Sequence, residues 1–210
     1  MTNWAQVERG RLCDLLTTTG PDAPTLCGDW TTRDLAAHLV IRERRPDAAA
    51  GILVPFLRSW NQRVQDGVAQ GSDWDQLVRT LRSGPPAWSP MRFGAVDSLA
   101  NTVEFLVHHE DVRRAAEGWE PRTLDPGLES AALAALGQAK LLVRSSPVGI
   151  VLEPTDGSTI VAKDHDPRVV VRGPASELLL FVYGRQAHAA VTVEGDEADV
   201  IAAREASFGL

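Results

Sequence analysis

The segment 103–114, VEFLVHHEDVRR, most constrains the fold, because it is predicted to be a helix that carries ionisable side chains among apolar ones. It contains no glycine or proline, and its apolar residues recur at helical spacing. Glu104 and His108 are four residues apart, so a helix stacks them on one face. At about 100° per residue, Val103 borders that face on one side and Phe105 on the other. The pattern therefore predicts that the carboxylate and the imidazole point inward.

An inward-facing carboxylate and imidazole need partners, because an unpaired buried charge is unfavourable. A divalent metal would satisfy both, with His38 of the segment 30–39 as a third ligand from another helix. Two histidines and a glutamate with an open fourth position are typical of catalytic zinc sites, and nickel, iron or manganese accepts similar donors. The alternative is a plain hydrogen bond between Glu104 and His108 inside a bundle, with His38 an ordinary histidine. Spacing alone favours this alternative, because such pairs are common on helices.

The remaining sector of the predicted helix holds Thr102, His109 and Arg113, which we expect to face water. His109 points about 100° away from His108 on a helix and is therefore not expected to be a ligand. No arrangement of serine, histidine and aspartate, and no separate general base, identifies a catalytic residue elsewhere in the sequence.

Composition and charge exclude several classes of function. The 210 residues allow one or two domains with a sizeable core. A formal net charge of −7 argues against a nucleic-acid-binding surface. No apolar run is long enough to span a membrane, and the N-terminus lacks the pattern of a signal peptide. We therefore expect a cytoplasmic protein that binds neither nucleic acid nor membrane, and the sequence does not define its oligomeric state.

The two cysteines are expected to be free thiols, because they lack metal-binding spacing and the predicted compartment is reducing. Cys13 falls on the apolar side of a predicted helix, which indicates a small buried side chain. Cys27 precedes the segment that carries His38 and could lie near the site. A structural role is favoured for it, since no neighbour in the sequence would obviously lower its pKa.

Helix-start and helix-stop signals divide the chain into two parts, residues 1–124 and 125–210. The first part is predicted to be an antiparallel bundle with helices over residues 3–18, from Thr31 to an interruption at Pro46, 55–68, 73–82 and 96–116. The second part is predicted to be a small α+β unit, with helices over residues 128–143, 175–182 and 196–206 and strands over 148–152, 159–162, 169–171 and 190–193. Asp156-Gly157 is a hairpin signal between the first two strands.

These segments resemble a known family. The segment WTTRDLAAHL, residues 30–39, is similar to the W-[TS]-x-x-D-[LV]-x-x-H-[LI] pattern of DinB-like bundles, and most closely to the branch that includes mycothiol-dependent maleylpyruvate isomerase. Glu104, His108 and Asp111 resemble the later E-x-x-x-H-x-x-D pattern of that branch. Residues 13–16, 42–51 and 101–105 resemble an uncharacterised metal-binding-protein subfamily, and residues 178–185 and 193–196 a small sterol-carrier-like domain.

The resemblance implies a mainly α protein, with a DinB-like four-helix bundle followed by a small α+β sterol-carrier-like domain. It implies that His38, Glu104 and His108 bind one divalent metal, commonly zinc, and this reverses the preference drawn from spacing. Asp34 and Asp111 match family positions, and each is expected to hydrogen-bond near a ligand histidine, to cap a helix or to lie on the surface, not to bind the metal.

The function implied is a metal-dependent thiol transferase or isomerase that activates a mycothiol-type thiol on the metal and presents it to an electrophilic substrate. Arg42, Arg44 and Arg45 follow His38 on the same predicted helix. Arg45 is seven residues on, near the His38 face two turns away, where it either meets a carboxylate of thiol or substrate or lies solvated on the surface. Two other functions stay open. They are a non-catalytic module that binds metal or a small ligand, and a metal-dependent hydrolase that uses bound water.

Overall fold

The computed structural model describes residues 2–44, 58–87, 89 and 95–209, with backbone alone for 58–62 and 95–98. The chain divides into two compact units, Met1–Glu120 and Pro121–Leu210. Within the described residues, no helix is long and apolar enough to cross a membrane.

The N-terminal unit is built from helices. They are α1 (Trp4–Thr19), α2 (Thr32–Arg44), α3 (Arg58–Gly71), α4 (Trp74–Arg82) and α5 (Ala95–Arg113). The predicted interruption at Pro46, the predicted helix start at residue 55 and the side chain of Arg45 lie outside the described residues. The other predicted helix bounds of this unit agree with the structure to within a few residues.

Side-chain caps fix where these helices begin. The Asn3 side chain accepts a hydrogen bond from the backbone N–H of Gln6, and Asp73 caps α4 in the same way. At the start of α2, the backbone N–H of Thr31 donates to Oδ2 of Asp34 at 2.9 Å, and the Thr31 hydroxyl donates to the same oxygen at 2.7 Å. This is a capping-box arrangement, so of the roles expected for Asp34 the structure shows the helix cap, which fixes the register of the helix that carries His38.

The core of this unit forms where α1 and α2 meet α5 and α4. Its fully buried side chains include Leu12, Leu16, Leu35, Leu39, Leu81 and Phe105. Because α1 packs along α5, it covers the sector that was expected to face water. Thr102 and His109 are only 4% and 6% exposed, so the prediction of a solvated sector is wrong for both. A helical wheel gives the angular order of side chains, but not which side a neighbouring helix will cover.

The C-terminal unit combines short helices with a small sheet. Its elements are α6 (Pro126–Ala135), a 3₁₀ turn (Leu136–Gln138), α7 (Ala139–Leu142), β1 (Gly149–Pro154), β2 (Ile160–Lys163), β3 (Arg168–Gly173), α8 (Ala175–Val182), a second 3₁₀ turn (Gln186–His188), β4 (Thr192–Glu194) and α9 (Glu197–Glu205). The single helix predicted over residues 128–143 is therefore wrong, since a 3₁₀ turn containing Gly137 divides it. Glycine is a poor helix former, which explains a break at this position.

The sheet has the strand order β2-β1-β3-β4. Strand β1 is antiparallel to β2 and parallel to β3, and β3 is antiparallel to β4. The β1–β2 hairpin turns at Gly157, whose φ of +83° explains a glycine there, as the Asp-Gly signal predicted. The mainly helical class with a small α+β part is thus confirmed.

Candidate metal centre

Helices α2 and α5 bring together the three side chains that the sequence singled out as metal ligands. Nε2 of His38 and Nε2 of His108 each lie 3.4 Å from Oε1 of Glu104. The two imidazole rings have centroids 5.5 Å apart and meet at 73°. Between 11% and 24% of each of these three side chains is exposed, so the group is half-buried and open on one side.

These distances fit a shared cation better than they fit hydrogen bonds. A separation of 3.4 Å is long for a hydrogen bond between an imidazole and a carboxylate. It equals the edge of a tetrahedron whose centre is about 2.0–2.1 Å from each nitrogen or oxygen, which is the usual zinc coordination distance. One ligand atom from each of the three residues lies within 4.8 Å of the others. The donor set of two imidazoles and a carboxylate therefore suits a divalent metal with room for a further ligand.

The other ring nitrogen of His108 contacts Asp111. Nδ1 lies 2.8 Å from Oδ2 of Asp111, whose side chain is fully buried. Since a carboxylate only accepts, Nδ1 donates its proton to Asp111, which leaves Nε2 as the ring nitrogen that faces Glu104. Carboxylate–histidine pairs of this kind orient imidazoles in metal sites. Of the alternatives open for Asp111, the structure shows the hydrogen bond to the candidate ligand, whereas Asp34 caps α2.

Cys27 lies beside the His108–Asp111 pair. The sequence left open whether this cysteine is near the site. Its Sγ donates to Oδ2 of Asp111 at 3.1 Å and lies 3.7 Å from Nδ1 of His108. The only indication in the sequence that Cys27 lies near the site was its position just before the segment 30–39. The cap that fixes the start of α2 also fixes the loop that carries Cys27. Cys13 is fully buried in the core, as predicted, and burial raises its pKa to about 11.

Two further residues frame the centre. The indole of Trp30 lies against the imidazole of His38, with ring centroids 5.1 Å apart and planes tilted by 46°. Nε of Arg42 lies 3.4 Å from Oε1 of Glu104, and its Nη1 donates to Oδ1 of Asn101. Only 13% of the Arg42 side chain is exposed, so this guanidinium is largely buried beside the carboxylate. Arg44 instead donates to Ser83 at the end of α4, away from these contacts.

The electrostatics of the centre favour positive charge beside Glu104. Burial alone would raise the pKa of Glu104, but the neighbouring imidazoles of His108 and His38 hold it well below its ordinary value. Burial alone would lower the pKa of His108, but hydrogen bonding to Asp111, Cys27 and Glu104 raises it well above its ordinary value. The surroundings therefore stabilise positive charge beside Glu104, and a divalent cation would supply it in place of a proton.

Comparison with known proteins agrees with the resemblance in the motifs. The family model for the mycothiol maleylpyruvate isomerase N-terminal domain matches residues 4–70, which include His38 but neither Glu104 nor His108. A crystal structure of the mycothiol-dependent maleylpyruvate isomerase is similar at 16% identity and a TM-score of 0.59, covering 90% of this chain and 88% of that chain. A mutant of that enzyme has a TM-score of 0.55 at the same identity and coverage.

No curated protein matches the chain. At 16% identity, the structural similarity establishes a shared fold and not a shared reaction. The comparisons nevertheless agree with the family suggested by the motifs: residues 4–70 match the model of the mycothiol maleylpyruvate isomerase N-terminal domain, and the chain shares the fold of the mycothiol-dependent maleylpyruvate isomerase.

Proposed function

We propose that this chain is a metal-dependent thiol transferase or isomerase that uses a mycothiol-type thiol. Its metal, with zinc as the first candidate, is held by His38, Glu104 and His108. The observation that carries the proposal is the pair of 3.4 Å separations joining both imidazoles to Oε1 of Glu104. The family match over residues 4–70 supports the choice of thiol chemistry over other reactions of a divalent cation.

When bound, a divalent metal lowers the pKa of a coordinated thiol and so makes a nucleophile available at neutral pH. The residues of the chain supply orientation and charge. His108 is held by Asp111, so its Nε2 faces the centre. Trp30 covers one side of the His38 ring and limits the access of water there. No side chain is assigned as a general acid or base.

Arg42 is proposed to help receive the anionic part of a thiol or of its electrophilic partner. It is the guanidinium beside Glu104, and its contact with Asn101 holds it at the rim of the donor set. Guanidinium groups bind carboxylates through paired N–H donors, which gives direction as well as charge.

The finer fold assignment is also part of the proposal. We assign the N-terminal unit to the DinB-like four-helix bundle and the C-terminal unit to the sterol-carrier-like domain. The helical N-terminal unit and the four-stranded sheet with α8 and α9 support this assignment. Similarity to the isomerase over 90% of this chain supports it for both units.

Metal analysis followed by thiol titration tests the function. Purified protein is expected to contain about one divalent metal per chain, and a cysteinyl-glycoside thiol is expected to raise the melting temperature only when that metal is present. A matched control is His165→Ala, which removes an exposed imidazole in the C-terminal unit and should leave both results unchanged. Metal retention with indifference to every thiol would favour the hydrolase or the non-catalytic module instead.

A further inference from the structure

Asp111 is the most deeply buried charged group near the centre, and two donors share one of its oxygens. Its side chain is fully buried. Oδ2 accepts from Nδ1 of His108 at 2.8 Å and from Sγ of Cys27 at 3.1 Å. A buried carboxylate needs its hydrogen bonds, because each one that is missing leaves desolvation uncompensated. The thiol therefore contributes to holding the carboxylate that orients His108.

The loop before α2 holds Cys27 in place. The backbone N–H of Cys27 donates to the hydroxyl of Thr25 at 3.1 Å, and that hydroxyl donates to the carbonyl of Trp30 at 2.9 Å. The backbone N–H of Leu26 donates to the carbonyl of Asp111 at 3.1 Å, which ties the loop directly to α5. The position of the sulfur is thus set by backbone contacts on both sides of it.

The distances argue against a second metal site at this cluster. Cys27, His108 and Asp111 do offer three atoms of ligand type close together. In a tetrahedral zinc site, however, nitrogen, oxygen and sulfur ligands are about 3.3–3.6 Å from one another. The separations of 2.8 and 3.1 Å to Oδ2 of Asp111 are shorter than this and correspond to hydrogen bonds.

We propose that Cys27 is a positioning residue for the metal centre. Its S–H fixes the carboxylate of Asp111, which fixes the ring of His108 with Nε2 towards Glu104 and His38. This inference depends on the proposed function, because it assumes that Nε2 binds a metal. It assigns the thiol neither to the metal nor to the substrate.

The test compares two small side chains at one position. Cys27→Ala removes the donor, whereas Cys27→Ser keeps a hydroxyl donor in almost the same volume. Removing a residue that directly orients a ligand histidine lowers metal affinity by about 10–100-fold. Cys27 contacts Asp111, which in turn contacts His108, so its effect should be smaller. We therefore expect Cys27→Ala to weaken zinc binding by about 3–10-fold and Cys27→Ser to stay within about twofold of the wild type.

Affinity is measured by competition between the full-length protein and a chromophoric zinc chelator, with circular dichroism as a check on folding. The control is Cys13→Ala, a core thiol whose Sγ contacts the carbonyl of Val78 on α4, which should leave zinc affinity unchanged even if it lowers the melting temperature. Substitution by cobalt(II) gives a spectrum that reports the ligands directly. Cys27→Ala and Cys27→Ser should both keep the wild-type ligand set.

The outcomes separate the proposed function from the positioning role of Cys27. If the wild type binds no divalent metal, the proposed function is wrong and this inference is wrong with it. If the wild type binds zinc and Cys27→Ala binds it equally well, only the positioning role is overturned. A sulfur-to-cobalt band that is present in the wild type and absent from Cys27→Ser would make the thiol a ligand, which also overturns the positioning role.

Discussion

His108 and His109 are neighbours on α5, and each directs Nδ1 at a buried carboxylate. The distance from Nδ1 of His108 to Asp111 is 2.8 Å, and that from Nδ1 of His109 to Glu8 is 2.9 Å. Only His108 also faces a second carboxylate and a second imidazole through Nε2. Among the described residues, both groups of ligand-type side chains contain His108 and neither contains His109. A histidine–carboxylate pair is therefore not sufficient evidence of a metal site.

The two histidine–carboxylate pairs differ in their surroundings. Glu8 is fully buried on α1 and accepts from Arg11 as well as from His109, so its charge is already balanced inside the unit. Pairs of this kind connect two packed helices. At His108, by contrast, the three side chains that face one another remain partly exposed. Access from solvent is therefore the main difference between the two sides of α5.

The largest expected change in zinc affinity comes from His108→Ala, which tests the contrast between the two histidines directly. His108→Ala removes one of three proposed ligands, so zinc affinity should fall by more than about 100-fold, beyond the loss seen when only an orienting partner is removed. The helical circular dichroism signal should be largely retained. Elemental analysis after gel filtration measures the bound metal. A fully metallated His108→Ala protein would remove His108 from the proposed site.

A smaller loss of zinc affinity is expected when only the orientation of His108 is disturbed. Asp111→Asn keeps the size of the side chain but replaces a carboxylate acceptor with a neutral amide. Zinc affinity should fall by about 10–100-fold. Chelator competition measures it, and Asp14→Asn, which changes an exposed carboxylate on α1, is the matched control. Equal affinities for the two variants would contradict an orienting role for Asp111.

His109→Leu should affect stability and not metal binding. It leaves the buried carboxylate of Glu8 with one donor fewer, so the free energy of unfolding should fall by about 1–3 kcal/mol. Urea unfolding measures the loss, and zinc affinity should stay within about twofold of the wild type. The double variant with Glu8→Gln should lose less than the sum of the two single changes, because they act on one pair. A loss of zinc in folded His109→Leu would mean that the two sides of α5 are not independent.

The smallest expected effect concerns the two thiols, Cys27 and Cys13, which should differ in their reactivity towards an alkylating agent. Since burial raises the pKa of Cys13 to about 11, its thiolate is scarce at pH 8 and increases only as the pH approaches that value. Iodoacetamide at pH 8 should label Cys27, which is partly exposed, and spare Cys13 in the folded protein. Both should react in urea. Peptide mass spectrometry locates the label, and rapid native labelling of Cys13 would show that the core opens more readily than its packing indicates.

Much of the local structure was accessible from sequence because its signals act over a few residues. The capping pair Thr31–Asp34 fixes the start of α2, and spacing puts Glu104 and His108 on one face of α5. The helix predicted over 128–143 was divided by a turn whose only local signal is Gly137. One glycine within an alanine-rich run is a weak signal, since packing often overrides propensity.

What the sequence by itself determined is most of the helices, the cap of α2, the facing pair on α5 and the family pattern, because helical periodicity and capping depend on neighbours in the chain. Only the tertiary structure decided that His38 reaches Glu104, that His109 is covered by α1 and that Cys27 contacts Asp111. These contacts join residues at least 66 positions apart. Their formation depends on which helix faces pack together, and the periodicity of one segment leaves that choice open.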